Sequence, residues 1–446
     1  MHATRLPRPW IALCVLFALF LSPSLLQGCD ALIDAEPSPS QQRLALLGDS
    51  GTLTKLSFAN ELLATDAEWV YLIVGVNEDQ GDLEASGVTR RKLNSYDVTR
   101  RILTKYDGDA VFRLDLGYTL QAVSLAIRPS ALRDVLRDLE SDPDVAWIEP
   151  DRLLAGDPGA FSNMGSLGQQ VSWGVARMNA PRRDASKVDI FVVDSGINAS
   201  TEIALASSTD FSMYYLARVA DVVNPITSLL GLASTTNNLL AADVLGHGTH
   251  IAGTIAARDN MMGVRGVAPG TALHNMRVLG PDGQTDMSTV LKAIDEITAR
   301  KQANPGRPMV VNLSFGADFG SSAYNVLDRA IQRSIEAGVV YVIAAGNDGI
   351  DVATVTPAHV AEAITVGAYD QKRRPADFSN HGAGIDLMAP GVDIVSVSHL
   401  ASWKRVGGSG TSYAAPHVTA LAAHYLSQHP SASPAEVLEA LRASMP

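Results

Sequence analysis

Four short runs are almost unbroken in hydrophobicity and rich in β-branched residues: Val188-Asp189-Ile190-Phe191-Val192-Val193, Met309–Leu313, Val339–Ala344 and Ala363–Val366. A strand that is apolar on both faces has to be covered on both faces. Helical stretches at Met287–Arg300, Ala323–Ala337 and Ser412–Gln428 lie between and after these runs, as crossovers between parallel strands require. Together these features predict an α/β domain from about residue 169 to 446: a mostly parallel twisted sheet with helices on both faces. No internal repeat is visible.

The preceding region has a different texture. Strand patterns at Trp69–Val74, Gln121–Ile127 and Val145–Pro150 alternate with helical patterns at Val88–Tyr106 and Pro129–Leu139. Residues 67–152 therefore read as a small α+β domain. A linker rich in Gly, Pro and Ser follows at 153–168, and a Pro- and Ser-containing tether precedes at 30–66. Residues 1–29 have the layout of an export signal, with Arg5 and Arg8 before an apolar run from Trp10 to Leu26. That run ends Leu26-Gln27-Gly28-Cys29, which resembles a bacterial lipoprotein signal with Cys29 as the lipidated residue; ordinary cleavage nearby is the alternative. The product is expected outside the cell, either secreted or tethered to the outer face of a membrane. Its two cysteines, Cys14 and Cys29, both belong to this leader, so no internal disulfide can staple the exported body. A net charge of −12 argues against nucleic acid as a partner. The basic clusters Arg90-Arg91-Lys92 and Arg100-Arg101 read as a solvated helix face.

The chemistry concentrates where strands end and helices begin. Gly410-Thr411-Ser412-Tyr413-Ala414-Ala415-Pro416-His417 is a small-residue turn entering a helix, with Ser412 on the first turn near free backbone N–H groups. Gly407, Gly408 and Gly410 allow close approach of a substrate. Pro416 fits this reading if it falls within the first turn. Asp194 ends the first apolar strand, His247 opens a helix in Gly246-His247-Gly248-Thr249-His250, and Asn347 follows Ala344-Ala345-Gly346. Singly, each is an ordinary cap or turn residue. Jointly they are a nucleophile, a base, an orienting carboxylate and an oxyanion donor, the parts that acyl transfer through a serine requires.

The order Asp…His…Ser resembles that of the subtilisin-like serine peptidases, as do Asp-Ser-Gly, His-Gly-Thr-His, Ala-Ala-Gly-Asn and Gly-Thr-Ser-x-Ala-x-Pro. The resemblance implies that Asp194 supports His247, that His247 takes the proton of Ser412, and that Asn347 with the Ser412 N–H holds the oxyanion. It implies polypeptide substrates laid as a strand against Ser314, Phe315 and Gly316 on one side and Leu279–Gln284 with Gly283 on the other, near Gly346. No cofactor is expected for the catalysis itself, and a monomer is expected. A structural calcium ion is implied at Asn260, Gln169, Arg258, Met262 and Val264, with Glu202 the nearest carboxylate.

Residues 67–152, ending in the Asp142–Asp151 segment, resemble the family's inhibitory propeptide, so a self-processed zymogen is expected. The new N-terminus would lie near Gly168, with Leu167 filling the first specificity pocket and Met164 the fourth; Leu154 and Phe161 are rivals for the first. Val355 matches the pocket floor. Three features depart from the family pattern. Tyr413 stands where Met is usual. The Asp194–His247 interval carries an insertion whose Ile226, Leu229, Leu230 and Leu240 would overhang the site. The tail from Ser433 to Pro446 is short. The rival function is a catalytically silent, membrane-tethered binding protein on the same scaffold. An α/β-hydrolase esterase would require Gly-x-Ser-x-Gly, and a metallopeptidase His-Glu-x-x-His; neither motif occurs.

Overall fold

The computed structural model describes residues 67–77, 87–156, 162–163, 168–182, 184–219, 242–320 and 325–445. The expected leader and tether, with Cys14 and Cys29, lie outside these residues, as do Phe161, Met164, Leu167, Ile226, Leu229, Leu230 and Leu240.

The first part comprises β1 (Val70–Val76), α1 (Gly87–Lys105), β2 (Ala110–Leu116), β3 (Ala122–Ile127), α2 (Pro129–Ser141) and β4 (Val145–Pro150). The strands form an antiparallel sheet in the order β2-β3-β1-β4. Pro129 sits in the first turn of α2, where its missing N–H costs nothing. Ala131, Leu132, Val135, Leu136 and Leu139 then recur at helical spacing and are all buried. Strand β2 escapes a reading by hydrophobicity because Arg113 and Asp115 interrupt it.

The chain continues through β5 (Leu153–Ala155), β6 (Ser162–Asn163), α3 (Trp173–Arg177), β7 (Asp189–Asp194), β8 (Leu205–Asp210), α4 (Ser212–Val219), α5 (His247–Ala256), β9 (Leu273–Arg277), β10 (Gln284–Asp286) and α6 (Met287–Ala303). It ends with β11 (Met309–Leu313), β12 (Ala317–Asp318), α7 (Val326–Glu336), β13 (Val339–Ala344), β14 (Val355–Thr356), β15 (Ile364–Tyr369), β16 (Leu387–Pro390), β17 (Ile394–Ser398), β18 (Ala401–Gly408), α8 (Thr411–Gln428) and α9 (Pro434–Ser444). Seven strands form one parallel sheet in the order β16-β15-β13-β11-β7-β9-β8. The four runs singled out above are β7, β11, β13 and β15, the middle of that sheet.

Two cores cover its faces. One gathers Ile251 and Ile255 of α5 with Ala414, Val418 and Ala422 of α8. The tail joins it through Val437 and Leu441 of α9, which starts at a Ser433–Glu436 capping box. The other gathers Val290 and Ile294 of α6 with Leu327 and Ile331 of α7, and it also includes Leu114, Leu116 and Leu120 of the first part. The small antiparallel domain is therefore seated on the α6/α7 face.

Candidate active site

Strand β7 has β9 on one side and β11 on the other, and the chain leaves it in both directions. Its C-terminal end is thus a switch point, where open α/β sheets keep their sites. Asp194 stands there. His247, the first residue of α5, points its Nδ1 at Asp194 Oδ1 (2.8 Å) and Oδ2 (3.0 Å), and both side chains are fully buried. An ionised carboxylate can only accept, so Nδ1 carries the hydrogen and Nε2 is left as the basic nitrogen. Ser195 N–H also donates to Asp194 Oδ1, at 2.7 Å. Glycine is required at 248, since a Cβ there would lie 2.2 Å from Gly196 O.

Asp243, which the motif reading passed over, assembles the start of α5. Buried at 1 % exposure, it accepts from the N–H groups of Leu245, Gly246 and Thr249 and from the hydroxyls of Ser195 and Thr249. A carboxylate with this many donors at a helix N-terminus fixes where His247 begins its turn. Asp243 lies three residues before the N-cap, Gly246, outside the position where a capping side chain is sought.

Ser412 lies on the first turn of α8 at 4 % exposure, and its hydroxyl donates to Ser314 O at 3.0 Å. Pro416 does not fall in the first turn as expected; it is the sixth helical residue, inside the helix. Asn347 is held by its side-chain oxygen, which accepts from Thr411 N (2.8 Å) and Thr411 Oγ1 (2.9 Å), immediately before the serine. With the oxygen so engaged, the Asn347 amide nitrogen faces the turn, 3.3 Å from where a Cβ on Gly410 would sit. Gly346 donates to Thr411 Oγ1 at 3.0 Å and adopts φ 100°, so it shapes this turn while Val355 packs beside it. Tyr413 is fully buried and sets its ring edge-on against His247 and His250.

Burial pushes His250 down to about 3, even though its Nε2 lies 3.0 Å from Ile394 O. It likewise pushes His417, bonded to Tyr413 O at 2.9 Å, down to about 4. Both are neutral near pH 7.

The cleft beside Ser412 already holds a strand. Residues of β5 pair antiparallel with β10, Leu154 opposite Thr285, while Ala155 exchanges both backbone hydrogen bonds with Gly316 (3.2 and 3.1 Å). Gly156 N–H donates to Gly283 O at 2.9 Å, and a Cβ on Gly156 would lie 2.7 Å from Leu279 Cδ1. Gly316 and Gly283 thus hold Leu153–Gly156 by main-chain hydrogen bonds from two sides, with Phe315 beside Gly156. The register counts back from Gly316 to Ser314, beside the nucleophile, and sets Leu154 three residues before the position opposite Ser314. Beyond the cleft, β6 pairs with β18 through Ser162 and Gly407.

Charged contacts hold the small domain at its seam. Arg113 of β2, 10 % exposed, reaches Asp151 (3.0 Å), Asp286 (3.3 Å) and Tyr214 O (2.7 Å). Asp295 of α6 accepts from the N–H groups of Tyr118 and Thr119. Glu149 accepts from Val326 N at the start of α7 and pairs with Arg329.

The residues named for calcium converge. Glu202 is buried and accepts from Asn260 Nδ2 at 2.9 Å, while its Oε2 has no partner among the described residues. Gln169 Nε2 lies 2.8 Å from Arg258 O and 3.3 Å from Val264 O, and Met262 N–H donates to Asn260 Oδ1 at 3.1 Å. Carboxylate, amide and carbonyl oxygens are the donor types calcium takes, but here Gln169 turns its amide nitrogen to the carbonyls of Arg258 and Val264, and Asn260 Oδ1 is engaged by Met262 N–H.

Residues 185–445 match the model of the subtilase family, Peptidase_S8. An extracellular serine proteinase of Thermus sp. (strain Rt41A) is 35% identical over 74% of this chain and 72% of its own length. M-protease of Shouchella clausii (strain KSM-K16) is 30% identical over 89% of this chain and 92% of its own. The crystal structure of a cold adapted subtilisin-like serine proteinase superposes with a TM-score of 0.50 at 29% identity, over 61% of this chain and 90% of that one. With a strand-end carboxylate, a buried imidazole, a helix-borne serine and a strand-shaped cleft, the chain belongs to the subtilase family and is a subtilisin-like serine endopeptidase.

Proposed function

We propose that Asp194, His247 and Ser412 hydrolyse peptide bonds through an acyl-enzyme, with Asn347 as oxyanion donor. The observation that carries this reading is the buried two-oxygen contact of Asp194 with His247 Nδ1, which leaves Nε2 as the base. His247 Nε2 takes the proton of Ser412 as Oγ attacks the scissile carbonyl carbon. The resulting oxyanion is met by the Asn347 amide and the Ser412 N–H, at the positive end of α8. Collapse expels the amine, which receives the proton from His247, and water then repeats the sequence on the acyl-enzyme. In the present rotamer the serine hydroxyl is given to Ser314 O, and turning it to the imidazole belongs to substrate engagement. A fluorophosphonate probe should label the purified protein on the peptide containing Ser412. A protein that takes no label would favour the silent binding scaffold.

The same reading makes residues 67–152 an inhibitory propeptide and the enzyme a self-processed zymogen. The support is the tail itself, since Leu153–Gly156 pairs in the cleft as a substrate would. The first cut then falls beyond Gly156, and the mature N-terminus lies between Asp157 and Gln169. N-terminal sequencing that began before Asp157 would overturn this. Substrates that follow the tail carry a large apolar residue at the fourth position and a small one at the second, where Leu279 closes on Gly156.

Calcium, held by Glu202, Asn260, Gln169 and the carbonyls of Arg258, Met262 and Val264, would add stability by binding the folded state alone. Export is supported by the leader pattern, with Cys29 as a lipid anchor in the tethered form.

A further inference from the structure

The proline inside α8 leaves a specific vacancy in the hydrogen bonding at the nucleophile. In an α-helix the carbonyl of Ser412 accepts the N–H four residues on, and Pro416 has none. A buried carbonyl without a donor is costly, and such groups nearly always find one. Here the donor is the Ser314 side chain, whose hydroxyl lies 3.3 Å from Ser412 O. That hydroxyl in turn accepts from Asn312 Nδ2 at 2.9 Å, and Asn312 Oδ1 accepts from Thr419 Oγ1 at 2.9 Å. Exposure is 0 % at Asn312, 1 % at Ser314 and 0 % at Thr419. The relay thus starts on α8, crosses to β11 and returns to α8 at the serine.

We propose that Ser314 is a positioning residue for the nucleophile, its hydroxyl replacing the N–H that Pro416 lacks. By holding the peptide plane between Ser412 and Tyr413, it sets the direction of the Ser412 Cα–Cβ bond and hence of Oγ. A backbone N–H would satisfy the carbonyl within the helix alone. The hydroxyl ties that carbonyl to the segment whose main chain forms the substrate edge, and this tie remains when Ser412 Oγ leaves Ser314 O for the imidazole. Nucleophile and cleft edge are then held in one frame. This role rests on Ser412 being the nucleophile, and it is separate from what the Ser314 main chain does in the cleft.

Three variants test it: Ser314→Ala, the double variant Ser314→Ala with Pro416→Ala, and Thr419→Val. For each, kcat and KM on a peptide substrate, the fluorophosphonate labelling rate and the melting midpoint are measured. Ser314→Ala should lower kcat and the labelling rate about fivefold to tenfold, the size of one buried hydrogen bond. KM should stay within about twofold, because the main-chain edge remains. In the double variant the helix regains an N–H at position 416 and both rates should recover. Thr419→Val, equal in volume but unable to donate to Asn312, should lower both rates by a smaller factor, and it carries the test if Ser314→Ala does not fold. Unchanged labelling in Ser314→Ala, a double variant no faster than the single one, or variants that move only the melting midpoint would each overturn the proposal. A parent protein that neither labels nor cleaves defeats the serine-nucleophile reading itself, a failure distinct from these.

Discussion

The polar junction behind the nucleophile and the one under the small domain are built from opposite materials. Behind the nucleophile the groups are neutral: Thr419, Asn312, Ser314 and the carbonyl of Ser412. At the seam under the small domain they are charged: Arg113 between Asp151 and Asp286, Glu149 on Arg329, and Asp295 over the Tyr118 and Thr119 amides. Neutral hydrogen bonds cost less desolvation than ions, which suits a junction that stays closed. Arg113 with Asp286 and Glu149 with Arg329 are paired only while the two surfaces touch, and such charges regain their hydration when the surfaces part. On the zymogen reading proposed above, the core junction is built to stay closed and the seam to open.

The largest effect expected is from Ser412→Ala, which should abolish peptide hydrolysis and leave the full-length precursor uncut, so the seam never opens. Electrophoresis of protein made without other proteases reads this, and maturation of the variant would break the self-processing account. Asn347→Ala should come next, lowering kcat about 10²–10³-fold, the loss seen when subtilisin is deprived of one oxyanion donor. Steady-state kinetics with KM near the parent value would bear it out. Replacing Arg113 by Ala acts on the seam alone. It strips the shared cation from Asp151 and Asp286 and should weaken the docked small domain by about 3–5 kcal/mol, while leaving kcat of the mature enzyme untouched. Inhibition of mature enzyme by the separately added 67–156 segment measures this, and an unaltered inhibition constant would show the seam charges to be incidental.

Acid should act on the core junction's side of the molecule. His250 and His417 are held at about 3 and about 4 in the fold, against an ordinary 6.5, because burial disfavours their charged forms. The unfolded chain takes up those protons first, so their share of stability is present above about pH 6.5 and is lost as pH falls toward 4 and then 3. Melting midpoints of the mature enzyme should drop across that window, and His417→Asn, which keeps a donor for Tyr413 O, should flatten the drop. Calcium is expected to have the smallest effect, raising the midpoint by a few degrees in millimolar ion over excess chelator. No change in midpoint, with no ion found by elemental analysis, would remove the Glu202 site.

Much of the architecture was legible from local pattern. The runs that became β7, β11, β13 and β15 are apolar on both faces wherever they sit, and α2 shows its buried stripe by spacing alone. The identities of Asp194, His247, Ser412 and Asn347 were equally legible, because each belongs to a short motif at a strand end or helix start. Their actual contacts were less so. Nothing local says that Asp243 gathers the first turn of α5, that Glu202 meets Asn260, or that Pro416 lies inside its helix with Ser314 supplying the missing donor. Strand β2 was hidden because Arg113 and Asp115 mimic a loop, and Arg113 finds its partner only where the strand meets the start of α6. The register of Leu153–Gly156 was hidden because it is set by Gly283 and Gly316, more than a hundred positions away. Sequence by itself determined which groups are present and which segments are strand or helix, since those follow from side-chain periodicity and backbone preference within a few residues. Tertiary structure alone decided which donor meets which acceptor, since the partners of these buried polar groups lie on segments that only the closed fold brings together.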